Sequence, residues 1–148
     1  MKTDNPKTIV YQGRIIEVVE EKVTLGDREV TFEFARRSPG TRMIIQTSDG
    51  NFLITREKRR EVSDKWDYRL PGGKVFDTLT EYNKAIENGD DLAEQARKGC
   101  VIEAREEVGI EPENMDLFHI SKAGATVVWD LYYFVIKSYK ELESQDLG

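Results

Sequence analysis

Short runs of β-branched and apolar residues dominate the first half of the chain and predict strands there. They cover residues 8–19, 22–25, 29–35, 43–47 and 51–55. The run at 29–35 alternates polar and apolar positions with a period of two, as a half-buried strand does. Asp49-Gly50 marks a hairpin turn, so the strand at 43–47, which is expected in the centre of a sheet, should pair with 51–55.

The hydrophobic spacing changes after residue 78 and predicts two helices. The first covers 79–88 and ends at Gly89. The second covers 92–108, with Asp90 or Asp91 as its N-cap and Gly109 after its last residue. Small apolar residues recur along one face of this second helix, at Ala96, Cys100, Ala104 and Val108. The most apolar run, 127–136, predicts a further strand, so the chain is expected to be a single mixed α/β domain over 1–148, with 76–91 as an insertion.

Composition narrows the class of protein. The chain has 148 residues, a net charge of −6 and a pI near 5.0, which argues against a nucleic-acid-binding protein because such proteins present basic surfaces. Its one cysteine, Cys100, excludes an intramolecular disulfide and is expected to be inert packing. No run approaches the roughly 18 apolar residues of a membrane span, and the first residues do not resemble a signal peptide. A cytoplasmic protein without a membrane partner is the expectation.

Three glutamates carry the candidate chemistry. Glu103, Glu106 and Glu107 fall on one face of the second predicted helix, because their separations are three and four residues. Like charges at that spacing repel one another, and Mg²⁺ is the usual counterion of clustered hard oxygen ligands in proteins. By themselves the three residues favour a solvated acidic helix face over a metal site. The glycine loop at Gly72 and Gly73 upstream favours the metal site.

Together these two segments resemble the Nudix box, in which a glycine loop precedes the pattern Arg-Glu-U-x-Glu-Glu-x-Gly-U, where U is aliphatic. Residues 103–110 match that pattern from its first glutamate onward. Two departures stand out. Ile102 occupies the position of the arginine, and the gap between Gly73 and Glu94 is about fifteen residues longer than the pattern has. Spacing nominates Glu94 as a further acidic ligand and helical geometry does not, so Asp90 and Asp91 compete for that role.

Upstream segments are similar to the ADP-ribose pyrophosphatase branch of that family. They are residues 11–15, 36–40, 53–59 and 66–73. The resemblance implies a Nudix-type α/β/α sandwich with a mixed sheet and an N-terminal antiparallel strand extension. It also implies a homodimer formed through strands within residues 1–40. The implied reaction is Mg²⁺-dependent hydrolysis, with Mn²⁺ as a possible substitute, of ADP-ribose or a related nucleoside diphosphate sugar.

The resemblance further assigns roles to single residues. Glu103, Glu106 and Glu107 are the expected catalytic metal ligands, joined by the carbonyl of Gly72. Arg59 is expected to contact phosphate, or else to be a surface arginine of a basic run, and Arg37 is a similar candidate. Either Trp66 stacks on the base of the nucleotide or it closes the core beside the loop; the core is the favoured alternative. Trp129 is expected in the core or on a sheet face.

The general base is not visible in the sequence. The branch commonly takes it from a loop after the last strand, where only Glu141 and Glu143 remain, and neither lies in a recognisable match. Glu106 or the water bound to the metal is the alternative. Two other functions stay open: a nucleoside triphosphate or dinucleoside polyphosphate hydrolase, and a non-catalytic Nudix domain that senses a nucleotide sugar.

Overall fold

The computed structural model describes residues 6–59 and 65–144. The strands in chain order are β1 (Lys7–Gln12), β2 (Ile16–Leu25), β3 (Arg28–Arg37), β4 (Gly40–Ile45), β5 (Thr55–Lys58), β6 (Trp66–Arg69), β7 (Ile110–Lys122), β8 (Val127–Val128) and β9 (Asp130–Glu141). The α-helices are α1 (Leu79–Asn88) and α2 (Leu92–Glu103), and a single π-helical turn covers Ala104–Val108. Nowhere in these two ranges is there a helix with the length and apolarity of a membrane span.

The N-terminal residues form a sheet in the order β1-β2-β3-β8. Strands β1, β2 and β3 pair antiparallel, and β8 joins β3 in parallel. The single strand predicted at 8–19 is wrong in its middle, because the chain turns at Gly13, whose N–H donates to the carbonyl of Ile16 at 2.9 Å. The segment 22–25 continues β2 and is not a separate strand.

The second sheet has the order β4-β9-β7, with β9 parallel to β4 and antiparallel to β7. The central strand is therefore β9, and the prediction that 43–47 is central is wrong. The predicted strand at 127–136 is also interrupted, at Trp129, where the chain passes from the N-terminal sheet to this one. The predicted hairpin after Asp49 is present in its backbone bonds, but 51–55 is not one strand: Phe52 forms an isolated bridge to Gln46, and Thr55 begins β5.

Helix α2 and the start of the π-helical turn pack small residues on this second sheet. Ala96, Cys100 and Ala104 are fully buried against side chains of β4 and β9 such as Met43 and Phe134. The predicted apolar stripe is thus confirmed. Burial raises the pKa of the Cys100 thiol to about 12, which agrees with an inert packing role.

The glycine loop lies along the edge of β4 that β9 leaves open. The N–H groups of Thr41 and Met43 donate to the carbonyls of Gly73 and Pro71, each at 2.8 Å. Gly72 has a φ of 142° and lies against the backbone of β4, where a Cβ atom would stand 2.2 Å from the carbonyl oxygen of Thr41. Only glycine fits this position, because both the conformation and the space exclude a side chain.

The helix predicted over 92–108 changes form near its end. After Glu103 the chain makes a wider turn that is closed by a bond from the N–H of Gly109 to the carbonyl of Ala104. Gly109 is left-handed (φ 71°), as predicted for the residue after the helix. Turns of this type occur mostly as single turns within helices and frequently lie at functional sites.

Helix α1 forms within the predicted insertion, with the predicted bounds. A capping box holds its start, in which the Thr78 hydroxyl accepts from the N–H of Glu81 and the Glu81 carboxylate accepts from the N–H of Thr78. Gly89 ends the helix in the left-handed conformation, as predicted. Asp91 caps α2 by accepting from the N–H groups of Ala93 and Glu94.

Candidate active site

The end of α2 and the π-turn bring the three glutamates to the glycine loop. The carboxylate of Glu107 accepts a bond from the N–H of Gly72 at 2.8 Å. The carboxylate of Glu103 accepts from the N–H of Lys74 and fills the space beside Gly73, where a Cβ atom would stand 1.8 Å from it. Glu106 shares with these two residues a cleft bordered by β5. The sequence elements singled out as one site are therefore neighbours in space.

Like charges and burial define the electrostatics of this cluster. Burial, followed by the charges of Glu107 and Glu106, raises the pKa of Glu103 to about 7. Burial also raises the pKa of Glu107, an effect that the bond from Gly72 opposes. The acidic side chains in the described ranges do not converge on one point as a set of three ligands. Carboxylates this close repel one another, and a cation among these hard oxygen atoms would offset that repulsion.

The raised pKa of Glu103 predicts how stability changes with pH. The folded protein holds this proton up to about pH 7, whereas an unfolded glutamate loses it near pH 4.3. Stability should therefore fall as pH rises between these values, by about 1 to 3 kcal/mol from this group. We expect the melting temperature of Glu103→Gln, measured without divalent cations, to exceed that of the wild type by a margin that grows from pH 5 to pH 8. Glu94→Gln, which changes an exposed residue, serves as the control, and a margin independent of pH for Glu103→Gln would contradict the assignment.

A basic cleft adjoins the glutamates. Five basic side chains line it, those of Arg37, Arg42, Arg59, Arg69 and Lys74, and it has a volume of about 300 Å³. Glu103 and Glu107 form one of its borders. Burial and then the positive charge of Arg69 lower the pKa of Arg42. Such a cleft is suited to an anion with several oxygen atoms.

The two arginines nominated from the sequence both line this cleft. Arg59 is oriented by two carboxylates, those of Glu57 at 2.8 Å and Asp67 at 3.4 Å. The guanidinium of Arg37 lies 4.4 Å from the centre of the Trp129 ring. The location of both agrees with the expected contact to phosphate, which remains a prediction.

The two tryptophans differ from expectation. Trp66 is 45% exposed on β6, with the cationic groups of Arg56 and Lys58 4.4 and 5.3 Å from the centre of its ring, so the prediction that it closes the core is wrong. It does not line the clefts around the glutamates in the described part of the chain. Trp129 does line the basic cleft, and its indole nitrogen is buried without a hydrogen-bond partner. The break between β8 and β9 places it there.

Three residues of the site were missed in the sequence. Arg42 and Arg69 lie on β4 and β6 and line the basic cleft, and Glu57 on β5 lines the cleft that contains all three glutamates. The negative charge of Glu57 contributes to the raised pKa of Glu107. Glu57 stands in a run of basic residues, which hides it in a search for acidic clusters. The sequence did contain one indication: Glu57 is two residues from Thr55, so the two side chains lie on the same face of a strand.

The other acidic candidates, with the exception of Asp90, lie away from the glutamates. Glu94 is exposed and pairs with Arg97 at 3.6 Å, and Asp91 is occupied as the cap of α2. Glu141 ends β9 and lines a separate cleft beside Gly109. Among the residues with described positions, Glu143 lines none of the three clefts around the glutamates. Asp90 lines a cleft that contains Glu103 and Glu106.

Comparison with known proteins identifies the fold. No protein-family model matches the chain. A CMP-5'-(N-acetyl-N-hydroxy-3-aminopropyl)phosphonate hydrolase of Streptomyces rubellomurinus (strain ATCC 31215) is 29% identical over 107 residues, which make up 72% of this chain and 45% of that protein. The chain thus spans less than half of this relative. The solved structure of an ADP compounds hydrolase superposes with a TM-score of 0.64 at 13% identity, covering 97% of this chain and 70% of that one. The chain therefore has the Nudix-type α/β fold that its sequence predicts.

Proposed function

We propose that this protein is a Nudix hydrolase that cleaves the diphosphate linkage of a nucleoside diphosphate compound. ADP-ribose or a related nucleoside diphosphate sugar is the proposed substrate, and the products are a nucleoside monophosphate and a sugar phosphate. One observation carries the proposal: Glu103 and Glu107 border the basic cleft as well as the acidic one. A cation held by the carboxylates would stand beside phosphates held by the arginines. Both known proteins named above are hydrolases of nucleotide-containing compounds by their names, which supports the proposal.

The donor atoms at this site fit Mg²⁺ or Mn²⁺. Glu103, Glu106 and Glu107 would hold it, with the carbonyl of Gly72 as a further ligand. A bound divalent cation neutralises phosphate charge and makes a water molecule more acidic. All of these ligands are oxygen atoms, as hard cations require.

The chain's own residues orient the phosphates and move the proton. Arg37 and Arg59 bind phosphate oxygens through two N–H groups each, a geometry that the planar guanidinium favours. In the reaction the oxygen of one water bonds to one phosphorus as the bridging P–O bond breaks. Glu106 accepts the water's proton, because Glu103 and Glu107 each accept a bond from a backbone N–H and Glu57 is already paired with Arg59.

The proposal includes a homodimer formed through the N-terminal sheet. Large apolar side chains of its strands are about half exposed, among them Ile9 (50%), Tyr11 (57%), Leu25 (56%) and Phe32 (41%). Surface of this kind is typical of a binding face. Light scattering should give twice the chain mass of 17.1 kDa, and a monomer at micromolar concentration would contradict the dimer.

Product analysis tests the proposed reaction. We expect purified protein with Mg²⁺ or Mn²⁺ to convert a nucleoside diphosphate sugar to a nucleoside monophosphate and a sugar phosphate, both separable by ion-exchange chromatography. In water enriched in ¹⁸O, mass spectrometry would show the label in one of these two products. Release of pyrophosphate from a nucleoside triphosphate, with no cleavage of the sugars, would favour the triphosphate hydrolase instead. Binding of a nucleotide sugar without turnover would favour the sensor.

A further inference from the structure

The cleft that Asp90 lines has a volume of about 580 Å³, lies between α1 and α2 and opens onto Glu103 and Glu106. Glu103 belongs to both this cleft, which we term the α1–α2 cleft, and the basic cleft. A compound whose phosphates occupy the basic cleft could therefore extend past Glu103 into the α1–α2 cleft. One wall of this cleft is built by the insertion.

The insertion is held firmly enough to act as a wall. Besides its two caps, α1 is fixed to the N-terminal sheet through Arg36, which donates to the buried carboxylate of Glu17 at 2.6 Å and to the side-chain oxygen of Asn83. The guanidinium of Arg36 also lies 5.3 Å from the centre of the Tyr82 ring. A second link is the bond from the N–H of Leu79 to the carbonyl of Arg14 at 2.9 Å. These contacts join the insertion to an element outside the helix pair.

The lining of the α1–α2 cleft combines amides with small apolar surface. Asn88 and Gln95 supply neutral donors and acceptors, and Ala85, Gly99 and Ile102 supply apolar surface. Ile102 is 52% exposed and stands where the Nudix pattern has an arginine, so the substitution removes a cation from this wall.

The remaining charges leave the cleft slightly acidic. Lys74 pairs with Asp77 at 2.5 Å, and Glu81 belongs to the capping box. The lining thus has three carboxylates from the insertion against two lysines, even before Glu103 and Glu106 are counted. An additional negative charge on a ligand would be repelled, whereas hydroxyl groups find both donors and acceptors here.

We propose that the α1–α2 cleft is the subsite for the group attached to the second phosphate, that this group is uncharged and rich in hydroxyls, and that the insertion makes this selection. The inference rests on the proposed function. The nucleoside is assigned to the other side, because the basic cleft has in its wall the Trp129 ring with the planar Arg37 guanidinium 4.4 Å from its centre, and both offer flat surfaces to a base. The aromatic ring in the α1–α2 cleft, that of Phe76, is already packed on Tyr82 with 5.6 Å between ring centres.

A matched pair of substrates tests the subsite. One is a nucleoside diphosphate hexose and the other the corresponding hexuronate, which differs by one carboxylate and carries the same nucleoside. We expect kcat/KM of the wild type to favour the hexose about tenfold. Asp90→Lys should reduce this preference to about twofold, because it replaces a cleft carboxylate by a cation. Asn88→Asp adds a carboxylate to the cleft and should increase the preference about threefold.

Glu87→Lys is the control, since it makes the same charge change on an exposed residue of α1 outside the cleft lining. It should leave the preference unchanged. Equal use of hexose and hexuronate by the wild type, or a preference that neither Asp90→Lys nor Asn88→Asp alters, would overturn the subsite while the proposed hydrolysis stands. If the wild type cleaves neither compound, nor any other nucleoside diphosphate derivative, the proposed function itself fails.

Discussion

Glu107→Gln is expected to lower kcat/KM for the nucleoside diphosphate substrate by about 10²- to 10³-fold, or about 2.7 to 4 kcal/mol of transition-state stabilisation. The change removes one negative charge from the site and keeps the size of the side chain. The carbonyl oxygen of glutamine can still accept the bond that the N–H of Gly72 donates at 2.8 Å. The loop should therefore keep its position, and the loss should report on the charge alone.

Two measurements separate this effect from a structural one. Because burial raises the pKa of Glu107, its neutral replacement should not lower the melting temperature of the cation-free protein. Raising the Mg²⁺ concentration should stabilise the wild type more than the variant, since ligand binding shifts the unfolding equilibrium.

Glu94→Gln is the matched control for this activity loss. Glu94 lies on the same helix, is exposed and pairs with Arg97, so its substitution should leave turnover within about twofold. Full turnover by Glu107→Gln would refute the metal assignment, and a large loss in Glu94→Gln would restore that residue as the acidic ligand nominated by spacing.

Local signals in the sequence were sufficient for the helices. Gly89 ends α1 and Gly109 ends the π-turn that follows α2, both in the left-handed conformation, and Asp91 caps the start of α2. These features depend on neighbouring residues only, so a sequence pattern carries them. The proximity of the glycine loop to the glutamates was also predictable, because the two segments occur in the order of the Nudix box.

Features that depend on distant partners were not predictable. Trp129 reads as part of one apolar strand, yet the chain changes sheets there, because β8 pairs with β3 while β9 pairs with β4 and β7. Trp66 is a large aromatic residue of the kind expected in a core, but it lies on a two-stranded hairpin, where it is 45% exposed. Arg42 reaches the site through the pairing of β4 with β9, which are far apart in sequence. The π-turn after Glu103 likewise lacks a pattern in the sequence.

Gly72→Ala is expected to lower the free energy of unfolding by about 3 to 5 kcal/mol, which combines a strained backbone with a clash. The φ of 142° is one that residues with a side chain rarely adopt. The added Cβ atom would also stand 2.2 Å from the carbonyl oxygen of Thr41 and 3.0 Å from the Cα atom of Arg42. Both contacts are to the backbone of β4, which is fixed in the sheet by β9, so neither can be relieved by a side-chain rotation.

Gly50→Ala separates the two causes, and denaturant unfolding measures both variants. Gly50 has a φ of 85° and no atom within 4 Å of the position of an added Cβ, so its substitution should cost only about 1 kcal/mol of conformational strain. The additional loss of unfolding free energy in Gly72→Ala, relative to Gly50→Ala, then measures how closely the loop approaches β4. That approach aims the N–H of Gly72 at Glu107 and leaves Gly73 beside Glu103, so Gly72→Ala should also lose activity at temperatures where it remains folded. Equal costs for the two variants would mean that the loop stands farther from β4 than the structure places it, and the glycine would then be required by its conformation alone.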